Sequence, residues 1–282
     1  MKRSSAIARV LFLAAASAVA SGAGAAVLEV EPFDYPANLG GSVNTLNGGT
    51  GWGGAWGNAA GDVTVALSNS SLSYPANVPL TPTGSRLAVT STTTTAQATR
   101  TLGTTMNLST SGQTWYSSAL IQHSAIAGET TSVNFFSGTN LRWFYGIDAA
   151  GHFSVAVDPN TANQRATSAS FAAADTTYLV VARIRTNTGT GGNDEVFLKV
   201  YAPGDVVSEP ALDANWDLTA SGNSGVTLSS IRLDFANAAG QTNQFDEFRV
   251  GTTFADVTGV VPEPTSLALL GIAGLALGRC RR

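Results

Sequence analysis

Cysteine is almost missing from this 282-residue chain, and the single one, Cys280, lies at its extreme C-terminus. That excludes a disulfide scaffold and any internal zinc site built on thiolates. Histidine is nearly as scarce. With only His123 and His152, and no Gly-x-Ser-x-Gly turn anywhere, a serine-hydrolase triad lacks its parts. The two histidines are far apart and have no acid cluster beside them, so they make a poor zinc site and read as polar-face strand residues. Charge is sparse at 12% and unevenly placed. Six of the 15 basic residues sit in the two ends, which leaves nine against eighteen acids between them, a net of −9. A body that acidic repels a phosphate backbone, so nucleic acid is excluded as a partner. Long amphipathic helices are also missing. What the chain does have is 44% hydrophobic residues, enough for a packed core, and 30 glycines to turn it.

The two ends read as addresses. Lys2, Arg3 and Arg9 precede an apolar run over 10–20 and small residues over 21–26, the layout of a secretory signal peptide cleaved before Ala26 or Val27. The apolar run is too short for a retained span. At the other end Pro262-Glu263-Pro264 leads into the uncharged stretch 266–278 and then the basic tip Arg279, Arg281 and Arg282. That stretch would form a short helix crossing a bilayer thinly, with the basic tip on the cytoplasmic side and the body outside. Pro262 to Arg282 resembles the PEP-CTERM sorting signal of Gram-negative bacteria in its order of motif, hydrophobic helix and basic end. The resemblance implies recognition by an exosortase, transient residence in the inner membrane, and delivery to the cell surface or extracellular matrix. A simple C-terminal anchor is the alternative.

Between the addresses, short runs of β-branched and aromatic residues recur among Gly, Asn, Ser and Thr clusters. Strands are expected over 63–67, 86–90, 98–102, 114–122, 132–136, 142–147, 152–157, 178–185, 195–201, 227–235 and 244–250. That many strands in one chain indicates an all-β antiparallel sandwich. Alternation in 179–185 sets Val180, Ala182 and Ile184 against Leu179, Val181, Arg183 and Arg185, and the Gly-rich 187–193 turns it into a hairpin with 195–201. The Thr-rich stretch 90–99 reads as an edge strand. The expected organisation is a signal peptide over 1–25, one sandwich domain over 26–257 and the sorting signal over 258–282.

Two segments are similar to secreted bacterial proteins with a concanavalin A-like, or LamG-like, jelly roll. They are Glu31-Pro32-Phe33-Asp34-Tyr35-Pro36 with the Gly-rich stretch through Trp52 and Trp56, and Phe245-Asp246-Glu247-Phe248-Arg249-Val250 with its following Thr-Thr-Phe-Ala-Asp-Val. The resemblance implies a closing strand that returns beside the opening strand. It also brings calcium into question, since such domains often bind it, with Asp246 and the loop acids Asp62 and Asp148 as candidate ligands. Laminarinase-like relatives carry Glu-x-Asp-x-x-Glu on one strand, and this chain has no such run.

Chemistry is otherwise thin. Glu29 and Glu31 are the one i, i+2 pair of glutamates, but they sit where the mature chain begins and fraying is expected. Asp194-Glu195 and Asp246-Glu247 are adjacent, so on regular strands their side chains point to opposite faces. Trp52 and Trp56 could stack on sugar rings if exposed, or cap the core if buried, and the surrounding glycines favour burial. The expected function is a non-catalytic exported surface or matrix protein. A carbohydrate-binding module for exopolysaccharide is the second reading, and a divergent glycan hydrolase the third.

Overall fold

Runs of Val, Ile, Thr and aromatic residues between turn-forming clusters become fourteen strands among the residues described by this computed structural model. Those residues are 27–35, 40–57, 66–74, 80, 82, 84–90, 95–124, 128, 130–158, 164–189, 192–236 and 241–260. The signal-peptide segment, Asp62, the motif Pro262-Glu263-Pro264, the apolar stretch expected to form a membrane helix and the tip Arg279, Arg281 and Arg282 lie outside them.

The strands are β1 (Val27–Glu31), β2 (Ala66–Ser68), β3 (Arg86–Thr90), β4 (Thr95–Asn107), β5 (Thr114–His123), β6 (Thr130–Ser137), β7 (Asn140–Ile147), β8 (His152–Val157), β9 (Arg165–Phe171), β10 (Tyr178–Arg185), β11 (Asp194–Tyr201), β12 (Leu218–Gly222), β13 (Thr227–Ala236) and β14 (Thr242–Gly251). They form two antiparallel sheets. One runs β12-β11-β10-β5-β14-β3-β2 with β1 also on β14, and the other runs β4-β13-β6-β7-β8-β9. This is the expected sandwich, and the Thr-rich stretch enters it from Thr95 as the edge strand β4. The strands β9 and β12 were not anticipated, because Ala, Ser, Thr and Gly give them no clear apolar alternation.

The expected closing strand is present. β14 pairs along one side with β5, while its other side serves β3 at Thr242–Phe245 and β1 at Phe248–Gly251. The register shifts between Asp246 and Arg249, and Glu247 has φ 48°, so a bulge marks the point where β3 gives way to β1. The β10–β11 hairpin runs from Arg185↔Glu195 to Leu179↔Tyr201, as its alternation indicated. After β14 a short helix, α1 (Phe254–Thr258), starts on a capping box in which Thr253 and Asp256 satisfy one another's backbone amides.

Two apolar clusters decide which surface stays open. Val133, Phe135, Trp143, Tyr145, Ile231 and Leu233 meet Ile121, Val180, Ala182, Phe245 and Phe248 between the sheets. On the opposite face of the eight-stranded sheet, Leu179, Val181, Phe197 and Tyr201 are covered by Val207, Trp216, Phe254 and Val257. That sheet is therefore buried on both faces. Among the described residues the six-stranded sheet packs an apolar cluster on one face only, and its other face carries Arg232 and Asp234 with Ser132 and Asn134 buried between strands.

Candidate functional site

The candidate residues at the chain's beginning are structural. A strip over 49–57 runs between the two sheets, bridging Val30 of β1 at Thr50 and β4 at Trp52 and Gly57. The strip approaches so closely that a Cβ on Gly51, itself at φ 86°, would fall 1.7 Å from the Leu28 carbonyl oxygen. Glycine is required there. Beneath the strip, Glu29 and Glu31 do not fray; both are fully buried. Glu31 accepts hydrogen bonds from the Phe33 amide (2.8 Å), Tyr35 Oη (2.8 Å) and Trp56 Nε1 (2.9 Å), and it forms an ion pair with the equally buried Arg100. Burial pushes the Glu31 carboxyl up, and those donors and the guanidinium pull against it. Glu29 accepts from the Thr104 amide at 3.0 Å, and burial raises it to about 7.

The tryptophans belong to the same assembly. Trp56 is 1% exposed and stacks on Phe33 at 5.8 Å, so it has no face to offer a sugar. Trp52 is half-buried, donates to the Val30 carbonyl at 3.0 Å, and carries the Arg100 guanidinium 4.6 Å over its ring. The strip's backbone contacts draw both indoles inward, which answers the expectation of a sugar platform at these positions.

The calcium candidates are separated. Asp246 lies at the β14 bulge, fully buried, accepting from the amides of Leu72 and Glu247 at 2.8 and 2.9 Å. Burial raises its carboxyl to about 8, outweighing the backbone amides that pull it down. Glu247 beside it is 3% exposed and pairs with Arg249, so the bulge buries both acids instead of sending them to opposite faces. Asp148 sits on the other sheet, after β7. Its Oδ1 accepts from the amides of Ala150 and His152, and its Oδ2 meets Arg165 at 2.5 Å. Among the described residues no three His, Cys, Asp or Glu side chains converge. His123 is fully buried rather than on a polar face, and the His152 ring packs at a tilt against Phe171, 4.2 Å between centroids.

The concavity that gathers polar and aromatic groups lies elsewhere, on the open face of the six-stranded sheet. A groove of about 480 Å³ is lined by Ser132, Asn134, Phe144, Asp148, Arg165 and Asp234, among others. Register explains the gathering: Asn134 of β6 lies between Phe144 of β7 and Arg232 of β13, and Ser132 is opposite Asp234. The Arg165 guanidinium lies 5.3 Å over the Phe144 ring, bonded to Asp148 and, at 2.7 Å, to Ser154 Oγ. Asp234 pairs with Arg232 at 2.6 and 2.8 Å. Burial raises the Asp234 carboxyl, and Arg232 opposes that rise. The groove thus gathers planar donors, carboxylate acceptors and a phenyl ring that carries a guanidinium. The sequence signal was the alternation of polar with apolar residues in 131–135 and 231–235, which identifies an outward face without saying which strands adjoin it.

Residues 260–282 match the family described as the PEP-CTERM protein-sorting motif. No curated protein matches the chain. Solved structures with a similar course include an endo-β-1,4-glucuronan lyase from the fungus Trichoderma reesei (16% identity, TM-score 0.46, 77% of this chain and 96% of the lyase). Others are an alginate lyase in complex with an alginate tetrasaccharide (12% identity, TM-score 0.37, 60% of this chain and 81% of that one) and the botulinum neurotoxin serotype C1 binding domain (10% identity, TM-score 0.40, 68% of this chain). The chain spans 45% of that neurotoxin domain's chain. The sorting signal makes this an exosortase-sorted protein, exported across the inner membrane to the surface of a Gram-negative-type bacterium.

Proposed function

We propose that the body is a non-catalytic surface or matrix module that holds a polysaccharide in the groove of the six-stranded sheet. The observation behind this reading is the groove's pairing pattern. Asp148 and Asp234 are both engaged by guanidinium groups, and the half-buried Phe144 ring lies beside them with the Arg165 guanidinium over it. Sugar recognition needs an aromatic face and a few fixed polar groups. Cleavage needs one carboxyl free to give a proton and a second free to act on the opposite side.

A glycan hydrolase is the competing reading, favoured by the raised Asp234 carboxyl in the same groove as Asp148. Affinity electrophoresis of the exported protein in gels containing neutral polysaccharides, with product analysis of the same mixtures, separates the two. The expected result is retardation without new reducing ends, and loss of retardation in Phe144→Ala. Chain cleavage that disappears in Asp234→Asn would establish the hydrolase instead.

A further inference from the structure

A second depression, of about 230 Å³, opens on the same sheet face and is lined by Thr99, Phe136, Thr139, Ser230 and Arg232. It repeats the construction of the first: the Arg232 guanidinium lies 4.5 Å over the Phe136 ring, as Arg165 lies over Phe144. The Asp234–Arg232 pair joins the two, with Asp234 lining one and Arg232 the other. These residues are i and i+2 on β13, so they share a face about 7 Å apart. From Phe144 on β7 to Arg232 on β13 is two strand spacings, about 10 Å, which is longer than one hexose ring. Thr99 of β4 lies directly opposite Arg232 and closes the side of the depression away from Ser132 and Asn134.

Charge narrows the ligand class. Among the described residues that line the two depressions, Asp148 and Asp234 are balanced by Arg165 and Arg232, which leaves no net charge there to attract a polyanion, while the body as a whole is acidic. An uncharged polyol chain meets fixed donors and acceptors without that repulsion. We infer that the two depressions are subsites of one track for an uncharged polysaccharide chain, which crosses the sheet over the Asp234–Arg232 pair. This rests on the six-stranded face being the binding face, as proposed above.

Calorimetric titration of the exported protein with neutral gluco-, manno- and galacto-oligosaccharides, from disaccharide to hexasaccharide, tests it against an alginate hexasaccharide. In at least one neutral series, affinity is expected to rise about tenfold or more with length, the scale of one charge-assisted hydrogen bond. Thr139→Trp, at an exposed turn, fills the second depression and removes that increment while disaccharide affinity stays unchanged. Ser230→Gln does the same from β13. Equal affinity for disaccharide and hexasaccharide, an increment that survives both variants, or alginate binding as tightly as the neutral chain would overturn the track. Absence of binding by every neutral series, or binding untouched by Phe144→Ala, would overturn the groove reading with it.

Discussion

Glu31 and Arg100 form a fully buried ion pair between residues 69 positions apart, one on each sheet. Arg100 also donates to the Gly48 and Gly54 carbonyls at 2.7 and 2.9 Å, so the pair ties the covering strip to both layers. Removing one partner leaves a charge in the interior. Arg100→Met is expected to cost about 3–5 kcal/mol, and Glu31→Gln added to it to restore part of that loss. Urea unfolding of the single and double variants checks both statements.

Gly51 and Gly54 lie three residues apart in the same strip and have opposite tolerances. A Cβ at Gly51 meets the Leu28 carbonyl, whereas one at Gly54 has nothing within 4 Å. Gly51→Ala should destabilise by about 3 kcal/mol or more or fail to fold, and Gly54→Ala should melt within about 1 kcal/mol of wild type. Thermal melts of the two proteins side by side make the comparison.

Stability should fall as pH rises from about 4 to 8. Glu29 and Asp246 are raised from 4.5 to about 7 and from 3.8 to about 8, so across that window the folded state binds more protons than the unfolded. The favourable contribution is complete below the unfolded values and is lost as each folded carboxyl ionises. For Glu29 the change is on the order of 3 kcal/mol. Glu29→Gln should flatten the profile between pH 4.5 and 7, read from chemical denaturation at a series of pH values.

The tail should be removed in an exosortase-bearing host, and the mature chain should start at Ala26 or Val27. Mass spectrometry of cell-surface material would identify these ends. Intact Met1 or Arg282 in most molecules would contradict the processing.

The strands Tyr178–Arg185 and Asp194–Tyr201 are legible from their β-branched and aromatic residues on either side of a Gly-rich turn, but the face of Tyr178–Arg185 expected to become polar is buried too, with Arg183 packed against Phe197 and Trp216. Alternation misleads at Asp246-Glu247, where a bulge inserts a residue and both acids are buried, Asp246 under the Leu72 amide and Glu247 against Arg249. Position misleads at Glu29, since a strip twenty residues further on covers it. The groove is hidden for a different reason. Ser132, Phe144, Arg165 and Asp234 belong to four strands, and only their lateral order, β13-β6-β7-β8-β9, brings them to one face.

On the reading proposed above, this exported domain binds an uncharged polysaccharide on its six-stranded face without cutting it. Chemical-shift mapping of the isotope-labelled protein with a neutral oligosaccharide that it binds is the most direct measurement. The expected result is shifts clustered at Ser132, Asn134, Phe144, Arg232 and Asp234, an unmoved Trp52 indole signal, and an intact sugar after prolonged incubation. Shifts centred on Trp52, or progressive appearance of shortened sugar signals, would contradict it.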